Sequence, residues 1–219
     1  TSNEFINQDI TTNLNFSTNF GETEELPTTT GWTTPTYTGI TIGTPYVIDL
    51  TSDDTFSYNS TEVNPQEKLG TDGTPGNKYG LLFVTSDGGI VGFETEEFTI
   101  PARSLYVLTF NYKIGEITSS IGINAKIISG DKTISMTAIT SKSSSYTTRA
   151  FLISGDELEE KTIKLQILWG NVTGTDTYTA VNEKGYAVID TIRLFSVSGP
   201  QFADLSAATA NTAVILSNT

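Results

Sequence analysis

Leu105-Tyr-Val-Leu-Thr-Phe-Asn-Tyr-Lys113 decides how this chain folds. Successive side chains of a strand point to opposite faces, so Tyr106, Leu108, Phe110 and Tyr112 share one face, and Thr109, Asn111 and Lys113 take the other. The same period of two recurs further along. Ile121, Ile123, Ala125 and Ile127 alternate with Gly122, Asn124 and Lys126, and Ile134, Met136 and Ala138 alternate with Ser135 and Thr137. Ile163, Leu165, Ile167 and Trp169 alternate with Lys164, Gln166 and Leu168. Strands with one apolar face must bury it against one another, which predicts a sandwich or a barrel. Ser129-Gly-Asp-Lys132, between two alternating runs, predicts a short antiparallel turn. Ser86-Asp-Gly-Gly89 and Ser154-Gly-Asp-Glu157 read the same way. The one weak helical candidate is Phe202-Ala-Asp-Leu-Ser-Ala-Ala, after Gly199-Pro200.

No charged or Pro-rich linker interrupts the first part of the chain, so 1–198 reads as one domain. Residues 199–219 read as a tail or linker that ends in the apolar Ala213-Val-Ile-Leu216. A length of 219 residues is enough for one large all-β domain with a real core. The chain has no His and no Cys. A Ser-His-Asp triad, a Cys nucleophile, disulfides and His-ligated zinc are therefore excluded. The 12 basic and 25 acidic residues give a net charge of −13. That balance argues against a phosphate-tracking nucleic-acid binder and against an anionic membrane surface. No stretch approaches the roughly 20 apolar residues of a membrane span. With 38 Thr and 20 Ser, the chain has the composition of a secreted or cell-surface protein whose strands turn hydroxyl residues to solvent.

Taken in order, several segments resemble the galactose-binding-like β-sandwich, the jelly roll shared by many carbohydrate-binding modules. Asn13-Leu-Asn-Phe16 through Phe20, then Leu26-Pro-Thr-Thr-Thr-Gly-Trp32, are similar to the family's opening strand and Gly-Trp turn. Asn77-Lys-Tyr-Gly-Leu-Leu-Phe83, Glu97-Phe-Thr-Ile-Pro101 and Tyr106–Lys113 look like its central strands. Tyr146-Thr-Thr-Arg-Ala-Phe151 resembles the strand that usually begins with Trp. Gly185-Tyr-Ala-Val-Ile-Asp-Thr-Ile-Arg-Leu194 is similar to the closing Ile-Asp-Asn-Val-Arg strand. The resemblance covers roughly 13–197 and implies an all-β, two-sheet antiparallel sandwich with jelly-roll topology. In that family a Glu after the early Phe often joins the closing-strand Asp on a structural calcium. Here Ser17 follows Phe16 and Gly21 follows Phe20, with Glu22 one place later, while Asp190 is kept.

Asp190 shares the parity of Val188, Ile192 and Leu194, so on a regular strand it would point inward. A buried carboxylate needs a cation or several hydrogen-bond donors. One reading makes Asp190 a Ca²⁺ ligand helped by Glu22 and backbone carbonyls, since calcium takes about six to eight oxygens. The other makes it a carboxylate at a bulge, satisfied by backbone N–H groups or Arg193.

The candidate ligand-binding residues are aromatic, because a ring face stacks on the C–H face of a pyranose. Trp169 shares a face with Ile163, Leu165 and Ile167 and reads as core. Trp32, after a turn, is either a core plug or a platform. Tyr37, Tyr46 and Tyr178 lie in polar, turn-rich surroundings, and two or three of them in one groove with Asn or Gln would make a binding site. The acidic clusters, such as Glu94/Glu96/Glu97, read as solvated faces and offer no glycosidase pair across a cleft. The resemblance implies a non-catalytic module that binds a glycan or cell-surface polysaccharide, at an extracellular or cell-surface location. The alternative is a structural or adhesive surface, fibre or virion protein built from the same sandwich. Its apolar tail would add a strand to a neighbouring copy in self-association.

Overall fold

The computed structural model describes residues 6–10, 14, 29–155, 159–198 and 212–215. Strands are numbered in chain order. Among the described residues, the first sheet runs β17 (Thr212–Ile215), β12 (Thr147–Ser154), β9 (Leu105–Ile117), β16 (Glu183–Ser198), β6 (Tyr79–Gly89), β3 (Tyr46–Asp49). β1 (Ile6–Asp9) pairs with the end of β16. The second sheet runs β11 (Lys132–Ser135), β10 (Ile123–Ser129), β13 (Lys161–Trp169), β7 (Val91–Thr95), β2 (Trp32–Thr33). β8 (Phe98–Ile100) pairs with the start of β13. Two hairpins stand apart, β4 (Phe56–Tyr58) with β5 (Thr61–Val63), and β14 (Asn171–Thr173) with β15 (Thr179–Val181).

The chain crosses between the sheets from β6 to β7, β8 to β9, β9 to β10, β11 to β12 and β12 to β13, and returns at β16. This back-and-forth winding with antiparallel pairing is a jelly-roll sandwich. The described strands pair antiparallel throughout, with one exception: β17 adds to β12 in parallel, with Phe151 opposite Thr212. The strand-forming stretch expected in the tail thus pairs with an edge of its own chain. The helical candidate at 202–208 lies outside the described residues.

The alternation predicted from the sequence places the core. Tyr106, Leu108, Phe110 and Tyr112 of β9 face Ile163, Leu165, Ile167 and Trp169 of β13 and Ile123, Ala125 and Ile127 of β10 in one cluster. Full burial of such aliphatic and aromatic side chains contributes about 1.5–3 kcal/mol each. Trp169 is wholly buried, and its indole N–H donates to Thr85 Oγ1 at 2.8 Å, so its one polar atom is satisfied. Ser129-Gly-Asp-Lys132 is the predicted hairpin, with Ser129 opposite Lys132 across Gly130-Asp131. Ser86–Gly89 is not a hairpin turn. It ends β6, and the chain goes on to β7 in the other sheet.

β16 departs from regularity where the sequence reading relied on it. Its register shifts between Asp190 and Arg193, and Thr191 lies at φ 53°. Ile189 is in the central core and Val188 in a separate outer cluster, while Ile192 and Leu194 beyond the bulge return to the core. Asp190 therefore falls on the outer face of the first sheet, and the expected inward orientation is corrected by the bulge. That outer face is covered. Phe56, Val63 and Leu69, from the β4–β5 hairpin and the segment after it, pack on Leu82, Tyr186 and Val188. The short helix α1 (Pro65–Lys68) in this cover starts with Asn64, whose side chain accepts from Glu67 N at 3.0 Å. With the first sheet covered there, the second sheet presents an open concave surface of its own.

Candidate functional site

A groove of about 880 Å³ lies on the outer face of the second sheet. Its floor consists of the polar alternates of the strands whose apolar residues fill the core. The pairing of β11, β10, β13 and β7 sets Ser135, Lys126, Gln166 and Glu94 side by side in one transverse row. Lys164 lies two residues along β13 from Gln166 and therefore on the same face. One wall is the segment Pro35–Tyr37, and the other is the β14–β15 hairpin with its loop through Tyr178.

The floor is cross-linked. Gln166 Nε2 donates to Glu94 Oε2 at 3.1 Å and to the Tyr37 hydroxyl at 3.0 Å. Lys164 Nζ pairs with Glu94 Oε1 at 3.1 Å. Lys126 Nζ donates to the Val172 carbonyl at 3.0 Å. These bonds hold the side chains in fixed orientations, so the floor is a preorganised polar surface. Over it, Tyr37 and Tyr178 form an edge-to-face pair, with ring centroids 4.8 Å apart. Tyr178 is 40% exposed. The wall loop turns at Gly174, φ 100°, where a Cβ would lie 2.1 Å from the Thr177 carbonyl oxygen, so the loop requires glycine there.

Of the four aromatic candidates, the groove brings two together. Tyr37 and Tyr178 share it with Gln166 and Asn171. Trp32 does not line it; of its two readings the structure has the core plug and not the platform, since it is 6% exposed and stacks on Phe93 at 6.0 Å. Tyr46 is 46% exposed but lies on β3 in the first sheet, away from the groove. The floor residues Lys126, Lys164, Gln166 and Glu94 were missed as site residues. Their parity did mark them as facing away from the core, but which outer face is concave depends on the walls.

A second polar centre surrounds Asp190, which is fully buried. Its Oδ1 accepts from Thr191 N at 2.7 Å and its Oδ2 from Asn77 Nδ2 at 2.6 Å. The same Asn77 amide donates to Asp72, which also accepts from Asn111 Nδ2 at 2.9 Å, Thr191 Oγ1 at 2.7 Å and Thr74 N at 3.0 Å. Burial pushes the Asp72 carboxyl up, but hydrogen bonds from Asn111, Thr191, Asn77 and Thr74 outweigh it and hold it at about 2. Asp190 thus has the backbone N–H of the bulge reading, together with a second carboxylate that the sequence reading did not single out.

Asn77 Oδ1, in contrast, is buried with no hydrogen-bond partner among the described residues. The end of Asn77 that faces the two carboxylates is its Nδ2, a donor, so Oδ1 joins them as a calcium-type oxygen set only with the amide turned over. The described residues hold no group of three or more acidic, His or Cys side chains of the kind that binds metal. Glu22 lies outside the described residues.

No protein-family model matches the chain, and no curated protein matches it. Among solved structures, it is similar to the carbohydrate-binding module TmCBM61 in complex with β-1,4-galactotriose, at 13% identity and a TM-score of 0.39. That likeness covers 82% of this chain and 99% of the other. The chain is also similar to the CBM22-1–GH10 modules of Clostridium thermocellum endo-1,4-β-D-xylanase 10B complexed with xylohexaose, at 12% identity and a TM-score of 0.42. There it covers 86% of this chain and 28% of the other.

Proposed function

We propose that the protein is a non-catalytic carbohydrate-binding module of a secreted or cell-surface protein, which holds a glycan in the groove of its second sheet. The observation that carries the reading is the exposed Tyr178 set against Tyr37 over the polar row of Glu94, Gln166 and Lys126. A pyranose lays its apolar C–H face on the tyrosine and turns its hydroxyls to the amide, carboxylate and ammonium of the floor. Each charge-assisted hydrogen bond adds about 1.5–3 kcal/mol net of the exchange with water. Polysaccharide-affinity electrophoresis and a glycan array test the reading. Tyr178→Ala should weaken retardation about tenfold, equal to about 1.4 kcal/mol, and Gln166→Ala by as much or more. An array silent for every glycan, or variants that bind like the parent, would reject it.

Calcium at the second centre is part of the same proposal. Asp190 and Asp72 would hold it with neighbouring carbonyls and, once the Asn77 amide turns over so that Oδ1 replaces Nδ2 between them, with Asn77 as well; its part would be structural, since the centre lies on the first sheet and the groove on the second.

The adhesive or fibre-forming reading is favoured by one observation, the parallel seat of β17 on the β12 edge. A strand joined this way can add to the same edge of a second copy. Concentration-dependent light scattering that disappears when 212–215 are deleted would support self-association. Scattering unchanged by the deletion would remove the tail from it.

A further inference from the structure

Lys126 differs from the other charged groups of the groove. It stands mid-floor, is only 6% exposed, and gives one hydrogen bond, to the Val172 carbonyl. An ammonium carries three donors, so two find no acceptor among the described residues. No described carboxylate pairs with it either. Glu94, the nearest along the row, has one oxygen on Lys164 and the other on Gln166. Burial pushes the Lys126 amine below the usual lysine value. A lone buried cation is unfavourable for the protein and is relieved by a ligand that brings the opposite charge.

The surroundings limit how much charge that ligand can carry. Asp131 on the β10–β11 turn and Asp176 on the wall loop are exposed on the groove's lining, and the whole chain is at −13. A densely anionic polymer is repelled by that field before it docks. A single anionic group on an otherwise neutral chain meets little of it beyond the roughly 8 Å screening length, and at the floor it meets Lys126 at close range.

We infer that the groove selects a mostly neutral glycan bearing an isolated anionic substituent, a uronate carboxylate or a sulfate ester, which pairs with Lys126. This selectivity rests on the glycan-binding reading of the groove. The test is an array that prints each acidic oligosaccharide beside its carboxyl-reduced or desulfated counterpart, with polygalacturonate as the dense polyanion. The sparsely acidic member should bind about tenfold tighter than its neutral twin and also better than polygalacturonate. The reduced and desulfated pairs tell carboxylate from sulfate.

Lys126→Met should abolish the preference, the acidic member falling to the level of its neutral twin on the same variant. It should melt at or above the parent, because an apolar residue replaces a lone buried charge. Lys126→Gln, which can keep the Val172 hydrogen bond, should lose the preference too. Equal or tighter binding of neutral twins, or a preference that survives both substitutions, overturns the inference and leaves the groove reading standing. Silence toward every glycan overturns the groove reading, and this selectivity with it.

Discussion

Glu183 is buried at the start of β16, where its carboxylate gathers the N–H groups of Ser119, Ile121, Gly122 and Lys184 and the Ser119 hydroxyl, at 2.9–3.0 Å. Converging amides of this kind make an anion-binding concavity, filled here by the protein's own side chain. Gly122 makes the approach possible, at φ 62° and with no room for a Cβ against the Ile139 carbonyl. Burial raises the Glu183 carboxyl, but hydrogen bonds from Gly122, Ser119 and Lys184 outweigh it and set it below the usual glutamate value. A folded-state pKa below the unfolded one adds stability above the unfolded value of about 4.3, and that stability is lost as pH falls through the folded value. Glu183→Gln should therefore flatten the acid limb of the stability curve while lowering the melting temperature near neutral pH. Urea titrations from pH 6 down to pH 3 check this, and an acid limb as steep as the parent's would assign the acid sensitivity to other carboxylates.

Among the elements, the β4–β5 hairpin turns at Asn59-Ser60, both at positive φ (53° and 61°). Two-residue turns of this kind favour Asn-Gly, because serine pays for its Cβ in the left-handed region. Ser60→Gly should stabilise the protein by about 0.5 kcal/mol, the relief of strain less the added freedom of the unfolded chain. A lower denaturation midpoint would contradict that balance. This hairpin also shows what the sequence could not disclose. Strands as long as β9 and β13 declare themselves through uninterrupted alternation, and their core residues follow directly. Phe56, Tyr58 and Val63 lie in a run too short for periodicity, so the cover over the first sheet was invisible. Thr191 looked like an ordinary strand residue, and one bulge there was enough to reverse the face of Asp190. Tyr37 and Tyr178 were recognisable as polar-context aromatics, but a separation of 141 positions hides that they touch.

At the scale of the molecule, the Asp72–Asn77–Asp190 centre ties the loop before β6 to β16, the strand at the middle of the first sheet. A cation that binds only the folded state stabilises it by mass action. Calcium at about a hundredfold over its dissociation constant should raise the melting temperature by about 5–10 °C, and EDTA should reverse this. A melting temperature indifferent to both would discard the calcium proposal. The two tryptophans carry a consequence for how the protein can be observed. Trp32 and Trp169 are both buried, the second with its indole N–H already donated to Thr85. Intrinsic fluorescence excited at the red edge of the indole band should therefore be blue-shifted and indifferent to sugar, and should report only the opening of the core. The exposed chromophores at the groove are tyrosines, so a bound glycan should appear as an ultraviolet difference spectrum of tyrosine that Tyr178→Ala diminishes. Unfolding and ligand occupancy can thus be followed in one sample through two separate optical signals.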